Sequence, residues 1–139
     1  MNAEEAFRKE IDSLNKHDAA AFATNYAPTA TVHDPAYPEP LRGTDAIKKD
    51  VADFFAAFPD LKANLHGSVV SGDKYAVEWS VSGTHKGPFA GPSGPIPATN
   101  RKVEVRGAAI GRFDDQGRIA EERRYYDLAG MMSQLGLME

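Results

Sequence analysis

Apolar residues in the first third of the chain recur at the helical period. Ala3, Phe7, Ile11 and Leu14 fall on one face, and Asn2 followed by Glu5 has the spacing of a capping box. Asp18 is placed to cap a short second helix that carries Phe22 and Tyr26 one turn apart and ends at Pro28. A third helix is predicted from Thr44, as N-cap, to Phe58. Asp45 suits its positive end, Ile47, Val51, Phe54, Phe55 and Phe58 form one broad stripe, and Pro59 stops it. Between these helices, Thr29 to Pro35 reads as a short extended piece, followed by the turn-prone Tyr37-Pro38-Glu39-Pro40. Beyond residue 61 the period changes to two, and 61–71, 74–85, 102–114 and 118–126 read as strands joined by turn-forming Gly72-Asp73 and Asp114 to Gly117. Tyr75, Val77, Trp79 and Val81 alternate with Ala76, Glu78, Ser80 and Ser82, the pattern of an antiparallel strand with two distinct faces. A closing helix over 128–135 ends at Gly136, a suitable left-handed C-cap.

Helices followed by a run of strands predict an α+β domain, with the helices gathered on one face of a curved antiparallel sheet. Its length, 139 residues, fits a single domain spanning 1–139. Helices laid into a concave sheet leave a pocket at one open end, where a small ligand would bind. The segment 87–97 stands apart, with four of the nine prolines, and cannot be a central strand. A lid over the pocket and a stiff strand connection are both open readings.

Composition narrows the chemistry. There is no cysteine, which removes disulfides, thiolate metal sites and cysteine nucleophiles. A net charge of −4 argues against nucleic acid as a partner, and no apolar run is long enough to span a membrane. The acidic, polar start is unlike a signal peptide, so a cytoplasmic protein is expected. No phosphate-cradling glycine loop or dinucleotide fingerprint occurs, and Ser93 sits in a segment that fails the nucleophile-elbow pattern. His17, His33, His66 and His85 are scattered and show no metal-ligand spacing. Neither a cofactor nor a metal is expected. Carboxylates, imidazoles and aromatic rings remain as the working groups.

The run from Tyr125 to Leu137, with an aromatic-Asp pair closing the last strand and Gln134-Leu135-Gly136 after a helix, resembles the ending of SnoaL-like polyketide cyclases. Val32-His33-Asp34-Pro35, Gly83 to Gly91, and Gly111-Arg112-Phe113 through Gly117 to Glu121 resemble the same family. The resemblance implies an NTF2-like (cystatin-like) cone and cofactor-free, aldol-type ring closure on a small, carbonyl-containing, polyketide-like substrate. It also implies that Asp127 serves as the acid/base. Asp127 directly precedes a helix, so the residues alone favour an N-cap, a role that can coexist with the acid/base one.

His33 and His85 lie at element ends beside Pro- or Gly-rich loops, where either could orient or polarise a carbonyl. Structural hydrogen bonds in a turn and at a strand end are their alternatives. Trp79, Phe89, Tyr125, Tyr26 and Phe55 are candidate substrate-binding residues. Glu104 with Arg106, and Glu122 with Arg124, are read as a cross-strand charge ladder on a solvated or subunit-facing surface, a natural homodimer face. An epoxide hydrolase would need an Arg between two carboxylates, for which Arg106 or Arg123 with Asp127 are candidates. A binding protein for a small apolar ligand is the non-catalytic alternative.

Overall fold

The computed structural model describes residues 3–91 and 94–137; Asn2 of the expected capping box and Ser93 lie outside them. Three N-terminal helices, α1 (Ala3–Asn15), α2 (Ala19–Ala23) and α3 (Gly43–Ala57), enclose β1 (Tyr26–His33) and β2 (Leu41–Arg42) in sequence. Then follow β3 (Lys62–Ser71), β4 (Lys74–Thr84), the short β5 (Phe89–Gly91) and β6 (Gly94–Ile96), β7 (Lys102–Phe113), β8 (Ile119–Tyr126) and α4 (Leu128–Gln134). The main sheet runs β2-β1-β8-β7-β4-β3, while β5 and β6 pair separately as a small hairpin within the proline-rich segment.

Local chemistry accounts for most boundaries. Asp18 caps α2, its Oδ1 accepting the Ala21 N–H at 3.0 Å. Gly72, Gly117 and Gly136 have φ of +62°, +77° and +78°, the left-handed conformation expected of turns and a C-cap. Two expectations shift. Arg42, rather than Thr44, occupies the N-cap of α3. Tyr26 opens a strand instead of ending a helix, and Pro28 lies inside that strand, at the irregular register between Tyr26 and Thr31, where a missing N–H is tolerated. The antiparallel sheet also contains one parallel pair, because the N-terminal β1 joins the sheet beside the C-terminal β8.

Strand alternation sorts the sheet into two faces. On the inner face, Tyr75, Val77 and Trp79 of β4 stand opposite Gly111, Ala109 and Gly107 of β7. The large rings need those small partners: a Cβ at Gly107 would fall 2.6 Å from the Trp79 ring, and one at Gly111 the same distance from the Tyr75 hydroxyl. Helix α1 lays Phe7 onto this face, 5.0 Å from the Tyr75 ring and 5.9 Å from that of Phe113. Helix α3 contributes Ile47, Val51 and Phe55 to the same buried core. No described helix is long and apolar enough to cross a membrane.

Candidate active site

Strand β8 sets the site. Alternation turns Glu122, Arg124 and Tyr126 inward and leaves Arg123 and Tyr125 outside. The ladder expected on the surface is therefore split: Glu104 and Arg106 are exposed, whereas Glu122 and Arg124 are enclosed, with side chains 4% and 13% accessible. The physical reason is that β7 and β8 pair with Ala109 opposite Arg124, which puts Val103, Val105 and Ala109 on the inner face and Glu104 and Arg106 on the other.

A guanidinium brought indoors must be surrounded by acceptors. Arg124 Nη1 donates to Asp34 Oδ2 and to Asp50 Oδ2, both at 3.1 Å, and Nε donates to Glu122 Oε2 at 3.0 Å. Asp34 comes from the end of β1, held by a turn in which its Oδ1 accepts the Ala36 N–H at 2.9 Å. Asp50 comes from α3. Four tyrosines complete the network. Tyr126 donates to Asp34 at 2.6 Å and Tyr37 to Asp50 at 2.6 Å. Tyr75 and Tyr26 donate to the two oxygens of Glu122 at 2.7 and 2.8 Å. Glu10 of α1 is the fourth carboxyl, its Oε1 3.2 Å from the Tyr26 hydroxyl.

Four carboxyls around one guanidinium make a proton-rich site. Burial, reinforced by the neighbouring Glu122 charge, pushes the Glu10 carboxyl up to about 8. Burial also raises the Tyr126 hydroxyl, with Asp34 adding to the effect, and raises Tyr37, with Asp50 beside it. Desolvation disfavours the Arg124 cation, but Tyr26, Glu122, Asp50 and Asp34 outweigh it and hold the guanidinium well above its ordinary value. The phenols thus stay protonated as donors, and Arg124 stays charged.

These groups edge a cavity of about 140 Å³. Its remaining wall is mostly apolar, with Phe7, Phe22, Phe54, Trp79, Phe89 and Met131 among the lining residues. An apolar cavity of about 150 Å³ admits benzene, so the space suits one six-membered ring or a chain folded to that size. Arg124 has five N–H donors, of which the described contacts use four, counting a long 3.4 Å bond from Nη2 to Tyr26. One Nη2 N–H is left for a ligand oxygen. Among the described residues, no cluster of His, Asp and Glu is arranged to hold a metal ion.

Of the residues singled out from sequence, Trp79 and Phe89 line this cavity. Asp127 does not. It is exposed at the start of α4, where its Oδ1 accepts the Gly130 N–H at 2.8 Å as an N-cap, because the strand ends with Tyr126 turned inward and Asp127 turned out. Tyr125 is 54% accessible on the outer face, and exposed His33 lies with it and Arg123 along a shallow groove. His85 is fully buried outside the cavity wall, Nδ1 3.0 Å from the Thr99 hydroxyl and the ring stacked on Phe58. Burial lowers its pKa, favouring the neutral imidazole. Tyr26 supports the network from behind, and Phe55 stacks on His17 at 4.7 Å, leaving Phe54 to face the cavity. The Arg between two carboxylates is Arg124, with Asp34 and Asp50, in place of Arg106 or Arg123 with Asp127. The signal for it was the alternation itself: a Tyr126 turned inward carries Arg124 and Glu122 with it.

Comparison with known proteins agrees with this architecture. The structure of TsrD from Streptomyces laurentii superposes with a TM-score of 0.84 at 25% identity, covering 99% of both chains. IdmH from Streptomyces antibioticus, described as a putative polyketide cyclase, gives 0.75 at 28% identity over 98% of this chain and 99% of that one. A protein from Catenulispora acidiphila with a ketosteroid isomerase-like fold, solved with trimethylamine, gives 0.78 at 20% identity over 98% and 95%. These similarities identify the fold as the NTF2-like, or cystatin-like, cone. No curated protein matches the sequence. The profile described as SnoaL-like polyketide cyclase matches residues 4–135, and with so nearly complete a match the chain belongs to the SnoaL-like polyketide cyclase family.

Proposed function

We propose that this protein is a cofactor-independent cyclase that closes a ring on a small, carbonyl-containing, polyketide-like substrate by acid/base catalysis. The observation that carries the reading is Arg124 Nη1 held 3.1 Å from both Asp34 and Asp50 at the edge of a ring-sized cavity. A methylene flanked by carbonyls is acidic enough for one carboxylate to deprotonate. Asp34 accepts three hydrogen bonds, from Arg124, Tyr126 and the Ala36 N–H, and Asp50 accepts two, from Arg124 and Tyr37. With one bond fewer, Asp50 keeps more lone-pair capacity free for the substrate proton, and Asp34 fixes Tyr126 and Arg124. The spare Arg124 N–H stabilises the oxyanion that develops on the acceptor carbonyl.

The same Arg between two carboxylates supports a second reading, epoxide opening by a water held between them. Incubating the protein with short poly-β-ketone chains and with ring-sized epoxides in ¹⁸O water separates the two. Ring closure gives a product that retains the substrate's oxygens, and epoxide hydration gives a diol carrying ¹⁸O. No change in either substrate class would leave the binding-protein alternative. We also propose a homodimer through the outer sheet face, where Val69 and Ile110 remain exposed along one cross-strand row. Size-exclusion chromatography with light scattering, repeated on Ile110→Glu, tests it by the shift to monomer mass.

A further inference from the structure

Glu10 differs from the other three carboxyls of the cluster in having no hydrogen bond to Arg124, and the described residues offer no partner to its Oε2. It lies on α1 and lines the cavity across from strand β8. The Tyr26 hydroxyl has a single proton. That proton goes to Glu122 at 2.8 Å, and the 3.2 Å contact with Glu10 Oε1 is then a hydrogen bond only if Glu10 supplies the hydrogen. Tyr26 oxygen has room to accept it, since its other visitor is the distant Arg124 Nη2.

Burial, then the Glu122 charge, disfavour ionisation of Glu10, while Arg124 and the Tyr26 hydroxyl favour it. Tyr26 from β1 and Tyr75 from β4 both donate to Glu122 of β8, and Asp34 and Asp50 line the same cavity, each bonded to Arg124. Arg124 is already shared among Asp34, Asp50 and Glu122, and the Tyr26 proton is committed to Glu122, so neither is held by Glu10. On its own helix, Glu10 is flanked toward the cavity by apolar Phe7, Ile11 and Leu14.

We propose that Glu10 is the proton donor of the site: its carboxyl faces the ligand protonated and gives that proton to the ligand's acceptor oxygen. This rests on the cavity being the ring-closing site. In the step, the C–H proton passes to Asp50, the new C–C bond forms as the C=O π bond breaks, and the alkoxide oxygen takes the Glu10 proton. Asp50 then loses its proton to solvent and Glu10 regains one, so no proton is gained or lost overall. The raised carboxyl agrees with this order of events, since a group near 8 holds its proton at neutral pH.

Two measurements test it on the intact protein. Infrared difference spectra of wild type against Glu10→Gln at pH 6.5 should show the C=O stretch of a protonated carboxyl, titrating away as the pH rises through about 8. Cyclohexanone, a ring-sized ketone, is then titrated against Trp79 fluorescence. Its affinity should fall about tenfold between pH 6.5 and 9.5 in wild type and become independent of pH in Glu10→Gln, whose amide still donates. Absence of the infrared band, or the same pH dependence in both proteins, would overturn the role of Glu10. The cavity reading is a separate matter: it fails if cyclohexanone binds neither protein at any pH, even with the band present.

Discussion

At the scale of single residues, Asp127 and Glu10 carry the sharpest predictions. Asp127 sits where an aromatic-Asp pair closes a strand, yet its carboxylate caps α4 and is exposed. Asp127→Ala should cost about 1 kcal/mol of stability, Asp127→Asn close to none because Asn caps equally well, and both should keep their turnover; denaturant unfolding beside a rate measurement checks this. Glu10 lies on α1 with its carboxyl lining the cavity. Its folded-state pKa lies above the unfolded value, so the native protein holds a proton that the unfolded chain releases between about pH 4.5 and 8. Stability must therefore fall as pH rises across that window. Glu10→Gln escapes the fall, and its advantage over wild type should grow from near zero at pH 4.5 to on the order of 4 kcal/mol by pH 8, read from chemical unfolding at each pH.

At the scale of elements, periodicity located the helices and long strands because each buries one face, and the burial leaves its mark every 3.6 or two residues. Which face of β8 turns inward was harder to read. Tyr125-Tyr126 presents an aromatic to either side, and a Glu-Arg pair two residues apart resembles a surface ladder unless the network that neutralises it is known. That network draws Asp34 from β1 and Asp50 from α3, and no local spacing links them to Arg124. The parallel pairing of β1 with β8 was equally hidden, being a contact between the two ends of the chain. The glycines of β7 carry an element-scale prediction. Gly107→Ala places a methyl against the Trp79 ring and should cost about 1–3 kcal/mol. Because Trp79 lines the cavity, the same variant should shift its fluorescence emission and weaken ketone binding. Unchanged emission with full stability would show that the ring has space to move.

At the scale of the whole molecule, the site exists only when the fold is complete. The cluster joins α1, β1, α3 and β8, and the apolar walls add β3, β4, β7 and the proline-rich hairpin through Phe89. Arg124 is the keystone of this assembly. Arg124→Met leaves Asp34, Asp50 and Glu122 without a counter-charge and should destabilise the fold by about 3–5 kcal/mol, as a lowered midpoint of chemical unfolding. Arg124→Lys keeps the charge but cannot reach three carboxylates in one plane, so it should fold and lose activity.

The central claim is that proton abstraction belongs to the Arg124 cluster and not to Asp127. Exchange of the α-protons of cyclohexanone in D₂O, followed by ¹H NMR, tests it without knowledge of the natural substrate. The account predicts acceleration by the wild type, a loss of about 10²–10⁴-fold in Asp50→Asn, and retention within a few-fold in Asp127→Asn. The reverse pattern, with Asp50→Asn active and Asp127→Asn inert, would contradict it.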